Sequence, residues 1–475
     1  MSKHVATAAA QPGMPSDRPR PAIVFDRRRS ERQNGQKNDR RIVQRGDPVG
    51  NIPSCRKVLG VTEEIRIRTF SNGLTLIAHP VPGANTAAFT LLVPAGCAYE
   101  PADRAGLAAM TGEMMMRGAG PRDSRQLIID LDLLGIDHGG SVSQGPSQFH
   151  AAMRSNALEA AMEIFADIVR RPRLPEDELE ATRLGALQEV LAVEDNPHQK
   201  TKQELRRRSL SEPWNRPANG TEQGLEAVTI DDVRRFHQRC YSPHGAIIAV
   251  AGPQTASEVE AIVERYWSDW NGLAPEELGP QEFRAGGMAH IEHTAEQTHL
   301  AVAWSSVSYS HEQCAAALAA IDILGGGLSS RLFTEVRERQ GLCYSVYAAL
   351  LPMRQCGLAF CYSATTTERA QTTLDMLARE LARLSQGVTA DELARAKARA
   401  KTALVMQRES CLALSSQLAY QWHLQGRIQT LTELQEEVDR LDERAIQRHL
   451  DEFPPRPATI VTLGPSALEM PDGIH

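Results

Sequence analysis

Few residues of this sequence are spaced so that they could do chemistry together. A zinc site of the H-x-x-E-H type needs imidazoles at i and i+4 of one helix, because those side chains share a face, and an acid at i+3 to activate water. In the helical stretch Leu107-Ala108-Ala109-Met110-Thr111-Gly112-Glu113-Met114 the i and i+4 positions are Ala109 and Glu113, and the i+3 position is Gly112. Alanine has no lone pair to give, and glycine cannot take a proton from water. His290 and His293 stand three apart, with His299 further on. In the strand expected there, i and i+3 point to opposite faces, so the rings do not converge and read as exposed or hydrogen-bonded strand histidines. His138 and His150 are isolated. Arg337 and Tyr344 flank a helix-to-strand turn, where a guanidinium fork and a phenol can donate to a peptide carbonyl or to the oxyanion of a tetrahedral intermediate. The plainer alternative is a surface ion pair for Arg337 and a core position for Tyr344.

The elements that must position these residues follow from periodicity. Ile65 to Phe70 alternates with period two, Ser71-Asn72-Gly73 is a hairpin turn, and Leu74 to Ala78 is the answering strand. Thr86 to Val93 reads as a strand apolar on both faces. The helix that follows, with Leu107, Met110 and Met114 at helical spacing and Ala108, Thr111 and Met115 beside them, has the profile of one buried all round, its methionines core rather than metal ligands. A helix over Ser124–Leu134 ends at Gly135, Gln148–Met153 is a strand, and Asn156–Val169 is an amphipathic helix. Pro175-Glu176-Asp177-Glu178 opens a long helix that passes Glu189. Further on, Leu328–Gln340 reads as a helix capped by Ser329, with Gly341 at its end and a strand starting at Tyr344.

These elements recur. Thr298–Trp304 matches Thr86–Val93, Thr367–Leu384 matches Asn156–Val169, and Thr389-Ala390-Asp391-Glu392-Leu393 echoes Pro175-Glu176-Asp177-Glu178-Leu179. The expectation is an α+β chain of two tandem homologous domains, each a mostly antiparallel sheet with helices covering one face. Their limits are a disordered basic and polar tail at 1–62, a first domain at 63–270, a Gly/Pro/Glu-rich linker at 271–287 and a second domain at 288–470. A length of 475 residues and a 42% hydrophobic composition suit two large domains. The net charge of -7 argues against general nucleic-acid binding. No apolar run approaches the roughly 20 residues of a spanning helix, and no secretory signal is evident, so the expected location is cytoplasmic. The eight cysteines are scattered without a C-x-x-C pair, as in a reducing compartment.

With Ser71-Asn72-Gly73-Leu74, a strand ending near Ala95-Gly96, Glu189-Val190 on the long helix and Cys240-Tyr241-Ser242-Pro243, the chain resembles the insulinase/pitrilysin family of zinc metallopeptidases from 63 to about 468. Leu324-Gly325-Gly326-Gly327-Leu328 and Arg337-Glu338-Arg339-Gln340-Gly341-Leu342-Cys343-Tyr344 resemble that family's glycine-rich loop and its arginine–tyrosine substrate element. The resemblance implies that Ala109 and Glu113 occupy the positions of the two zinc histidines, Gly112 that of the general base, and Glu189 that of the third ligand. Glu113 and Glu189 alone would make at best a weak oxygen site for a hard cation. The resemblance therefore implies a non-catalytic subunit: half of a clam-shell chamber, with no cofactor in this chain and zinc expected in a catalytic H-x-x-E-H partner. Substrate-binding residues would be Arg337, Tyr344, Gly325, Gly326 and Gly327, and the substrates peptides. A structural scaffold, or a peptide-binding homodimer without proteolysis, is the alternative on the same fold.

Overall fold

The computed structural model describes residues 65–472, and the tail expected at 1–62, with its arginine runs, lies outside them. The chain enters as the expected hairpin. β1 (Arg66–Thr69) and β2 (Thr75–Pro80) pair antiparallel about Gly73, whose φ of 90° suits glycine. There follow β3 (Thr86–Val93), α1 (Leu107–Met115), the short ladder β4 (Gly118–Ala119) with β5 (Arg122–Asp123), and α2 (Ser124–Leu133). Then come the hairpin β6 (Asp137–Val142) and β7 (Ser147–Arg154), α3 (Leu158–Arg170), α4 (Leu179–Glu194) and α5 (Pro197–Ser209). The first half closes with α6 (Glu222–Ala227), α7 (Ile230–Cys240), β8 (Ile247–Gly252) and α8 (Ala256–Trp267).

The second half runs β9 (Gly287–Glu292), β10 (Gln297–Ser306), α9 (Cys314–Gly325), a π-helix at Phe333–Arg339, β11 (Cys343–Pro352) and β12 (Gly357–Thr366). It ends with α10 (Ala370–Leu384), α11 (Ala390–Met406), α12 (Cys411–Gln425), α13 (Leu431–Arg440), α14 (Glu443–Glu452) and β13 (Ala458–Gly464).

Strand order displays the duplication directly. The first sheet is β1-β2-β8-β3-β7-β6 and the second, read from its other edge, is β9-β13-β10-β12-β11. Setting β1 aside, β2 corresponds to β9, β8 to β13, β3 to β10, β7 to β12 and β6 to β11. Each sheet has one parallel pair at the same place, β2 with β8 and β9 with β13, and is otherwise antiparallel. The edge strand β6 escapes sequence reading because Gly139 and Gly140 interrupt its alternation, and its exposed face needs no apolar residue.

Each half's own helices cover one face of its sheet, as expected. On that face Phe89, Leu91, Ile248 and Val250 meet Met110, Met114, Phe165 and Phe236 in one core, and Val302, Trp304 and Ile460 meet Leu324, Leu377 and Leu381 in the other. The opposite faces are also covered, each by a helix of the other half. α12 lies on the first sheet, with Leu414, Leu418 and Ala419 against Ile77, Leu92, Ile247 and Ala249. α5 lies on the second, with Leu205 against Ala301, Ala303, Phe360 and Val461. This reciprocal cover explains why β3 and β8 are apolar on both faces, a pattern otherwise typical of sheets sandwiched between helix layers.

Candidate functional site

α1 owes its placement to a buried carboxylate. Glu100 accepts the Gly106 and Ala108 backbone N–H groups at 3.1 and 2.7 Å, satisfying donors that a helix start leaves open. Burial pushes its pKa up to about 7, against the pull of those two bonds. Leu107, Ala108, Met110, Thr111, Met114 and Met115 are buried, and the Thr182 hydroxyl of α4 lies 3.2 Å from the Met114 sulfur. The helix is not buried all round, however. Ala109 and Gly112 are half-open and Glu113 is exposed, so positions i, i+3 and i+4 form the one uncovered stripe, and a Cβ at Gly112 would meet nothing within 4 Å. Glu189 on α4 is exposed as well, and neither Glu113 nor Glu189 has a side-chain hydrogen bond or ion pair among the described residues. The stripe has the direction that a metal-binding helix face would need but not the donors. Among the described residues no group of three or more His, Cys, Asp or Glu is placed to hold a metal ion.

The histidines that looked metal-like are engaged elsewhere. His290 lies in β9 with its ring 2.9 Å from the Thr462 hydroxyl, His293 follows that strand and accepts the Ala295 N–H, and His299 in β10 bonds the Tyr362 phenol at 2.5 Å.

The second element is better furnished. α9 passes so close to β11 that a Cβ on Gly325 would stand 2.3 Å from the Ala348 nitrogen, and one on Gly326 would collide with Asp322. Gly325 thus lets helix and strand touch. Gly326 and Leu328 are exposed and Gly327 is half-buried, so the loop beyond Gly325 meets solvent. The following helix is not capped at Ser329: it starts at Arg331 and widens into the π-helix, a device frequent at functional sites. Arg331 anchors it. Its buried guanidinium forks onto Glu392 at 2.7 and 2.8 Å and also donates to the Arg383 and Gly387 carbonyls. Burial opposes the Glu392 charge, yet the bonds from Arg331 and the Thr389 amide hold its carboxyl at about 2.

Arg337 and Tyr344 meet at the end of this element. The Arg337 guanidinium lies 4.6 Å from the Tyr344 ring centre and 4.7 Å from that of Phe333, so it is held between two aromatic rings. It makes no ion pair among the described residues. Tyr344 is not core: it is 79% exposed. The register of β11 on β12 jumps between Cys343 and Ser345, so Tyr344 is the extra residue of a β-bulge, re-aimed out of the sheet. Sequence reasoning brought Arg337 and Tyr344 together but missed Phe333 as the second plate and the Arg331–Glu392 anchor. Both halves of that anchor stand in noticeable motifs, yet 61 positions apart, with no local signal of pairing.

Comparison with known proteins places these features. Residues 76–221 match the family model described as Insulinase (Peptidase family M16), and residues 227–400 match that described as Peptidase M16 inactive domain. An uncharacterized zinc protease of Rickettsia bellii (strain RML369-C) is 24% identical over 408 residues, covering 86% of this chain and 99% of that protein. The uncharacterized zinc protease YmxG of Bacillus subtilis (strain 168) is 24% identical over 381 residues, covering 80% and 93%. Among solved structures, a peptidase M16 inactive domain from Pseudomonas fluorescens superposes with a TM-score of 0.79 at 23% identity, over 86% of this chain and 99% of that one. A protease from Helicobacter pylori gives 0.77 at 19%, over 85% and 100%.

Proposed function

The chain belongs to the insulinase family of peptidases, family M16, and from that premise we propose that it is the non-catalytic, substrate-binding subunit of a two-chain zinc metallopeptidase. It acts on peptides beside a partner that carries H-x-x-E-H and the zinc. The observation that carries this reading is the exposed Arg337–Tyr344 stack, set by a bulge and a π-helix, on a chain whose α1 offers Ala109, Gly112 and Glu113 where the chemistry would be. A scaffold has no use for a guanidinium held by two rings and without an ion pair among the described residues. In this role Arg337 and Tyr344 donate to a substrate carbonyl, or to its oxyanion once attacked, and move no proton themselves. An extended peptide is held partly by strand addition at a sheet edge.

The test is cleavage of an unstructured peptide by the chain alone, by an H-x-x-E-H family member from the same genome, and by the two mixed. The mixture should be active and the chain alone inactive. Arg337→Ala should slow the mixture by about a hundredfold or more, the scale of a lost oxyanion donor. Chelator-sensitive activity of the lone chain would refute the non-catalytic role. An Arg337→Ala mixture as fast as the parent would favour the scaffold.

A further inference from the structure

Where α5 crosses from the first half onto the second sheet, it presents two contrasting stripes. Thr201, Leu205 and Ser209 are buried. Gln199, Lys202, Gln203 and Arg206, at i, i+3, i+4 and i+7, line a cavity of about 430 Å³ between the halves. The first half closes it with Gln144 from the β6–β7 turn and Arg216 from the segment after α5. The second half supplies an apolar floor of Leu351, Leu358 and Phe360.

The charges in this cavity do not balance. Arg216 is matched: it pairs with Glu212 at 2.6 Å and donates to the Glu100 carbonyl. Arg206 and Lys202 have no carboxylate within ion-pair reach among the described residues. Among the described residues the Arg206 guanidinium donates only to the Gln144 side-chain oxygen, and the Lys202 ammonium lies 5.9 Å from the centre of the Phe360 ring. Withdrawal from water pushes the Arg206 pKa down. Elsewhere in the chain the buried arginine is fully answered, Arg331 by Glu392. Charges withdrawn from water are normally paired, so the unanswered, half-buried Arg206 on a roomy cavity favours an anion from beyond the described residues.

We propose that this cavity binds an organic carboxylate with an apolar body, the carboxylate on Arg206 and Lys202 and the apolar part on Leu351, Leu358 and Phe360. The ligand is either a free acid or the C-terminal carboxylate of a peptide. The assignment does not depend on a catalytic partner and is tested on the full chain alone.

Calorimetric titration with hexanoate, its neutral isostere hexanamide, the peptide acid acetyl-Ala-Leu and inorganic phosphate provides the test. Hexanoate or acetyl-Ala-Leu should saturate one site, and hexanamide should bind about tenfold or more weakly, as expected when a charged hydrogen bond is lost. Tighter binding of acetyl-Ala-Leu identifies the peptide as the source, and equal or tighter binding of hexanoate identifies a free acid. Arg206→Gln should weaken the carboxylate by about tenfold or more. The exposed Lys202→Gln, which leaves the buried side of α5 intact, should weaken it several-fold and keeps the test valid if the first variant fails to fold. Equal affinity for hexanamide, affinity for phosphate equal to that for the acids, or no saturation by either carboxylate would overturn the proposal.

Discussion

At the level of single residues, two glycines that look alike in the sequence have opposite reasons to be there. Gly112 sits within α1 with open space where a Cβ would point, and Gly325 sits with its Cα pressed on β11. Gly112→Ala should therefore raise stability by about 0.5–1 kcal/mol, through the helical preference of alanine. Gly325→Ala should lower it by about 1–3 kcal/mol, because helix and strand must separate. Denaturant midpoints of the two variants give both signs. The same holds for charge. Nothing in the sequence marks Glu392 as the partner of Arg331, though the buried guanidinium forks onto it. Arg331→Ala should cost about 1.5–3 kcal/mol, the scale of lost hydrogen bonds to a charged group, because Glu392 stays partly exposed and keeps its two bonds from Thr389. Because Glu392 is held at about 2, the pair's contribution is present above the ordinary carboxylate pKa and is lost as pH falls from about 4.5 toward 2.

Elements show where sequence reading reaches and where it stops. β3 was legible because apolar residues on both faces have one cause, burial on both sides, although the covering helix was not. α12 and α5 could not be assigned their places: their partners lie in the other half, and periodicity reports only that a face is apolar, never which surface meets it. α5 is harder still, since its sequence Pro197–Ser209 is strongly polar and its buried stripe is mainly Thr201, Leu205 and Ser209. The Arg337–Tyr344 turn was legible because helix end, Gly341 and strand start are local signals, whereas the bulge that exposes Tyr344 depends on pairing with β12. The covering helices also set the response to acid. Burial lowers His79 in β2 and His423 in α12 to about 4, with Arg408 and Arg354 adding to the effect, and burial also brings His299 in β10 to about 4 and lowers His198 in α5. Between about 6.5 and 4 the unfolded chain binds protons that the folded one refuses, so stability falls with falling pH. Hydrogen-exchange protection factors at pH 5, corrected for the slower intrinsic exchange there, should fall in α5 and α12 before they do in α10.

For the whole molecule, the exchanged helices make the halves mutually dependent. Residues 65–270 expressed alone would leave Ile77, Leu92, Ile247 and Ala249 facing water, and 288–472 alone would bare Ala301, Phe360 and Val461. Each piece should aggregate when produced singly and yield soluble protein when the two are produced together, as measured by size-exclusion chromatography. For the same reason Leu418→Ala, a change on the second half's helix, should cost about 2–5 kcal/mol while leaving a single unfolding transition shared by both halves.

The trade of α5 for α12 is symmetric: each is the fifth helix of its half, and each lies on the other half's sheet. That is the contact pattern of a domain-swapped homodimer, written into one polypeptide. A dimer of single halves would assemble by a second-order step and come apart on dilution, whereas the segment 271–286 keeps the two swap partners at a fixed effective concentration. Refolding of this chain is accordingly unimolecular, with a rate that does not change when the protein is diluted.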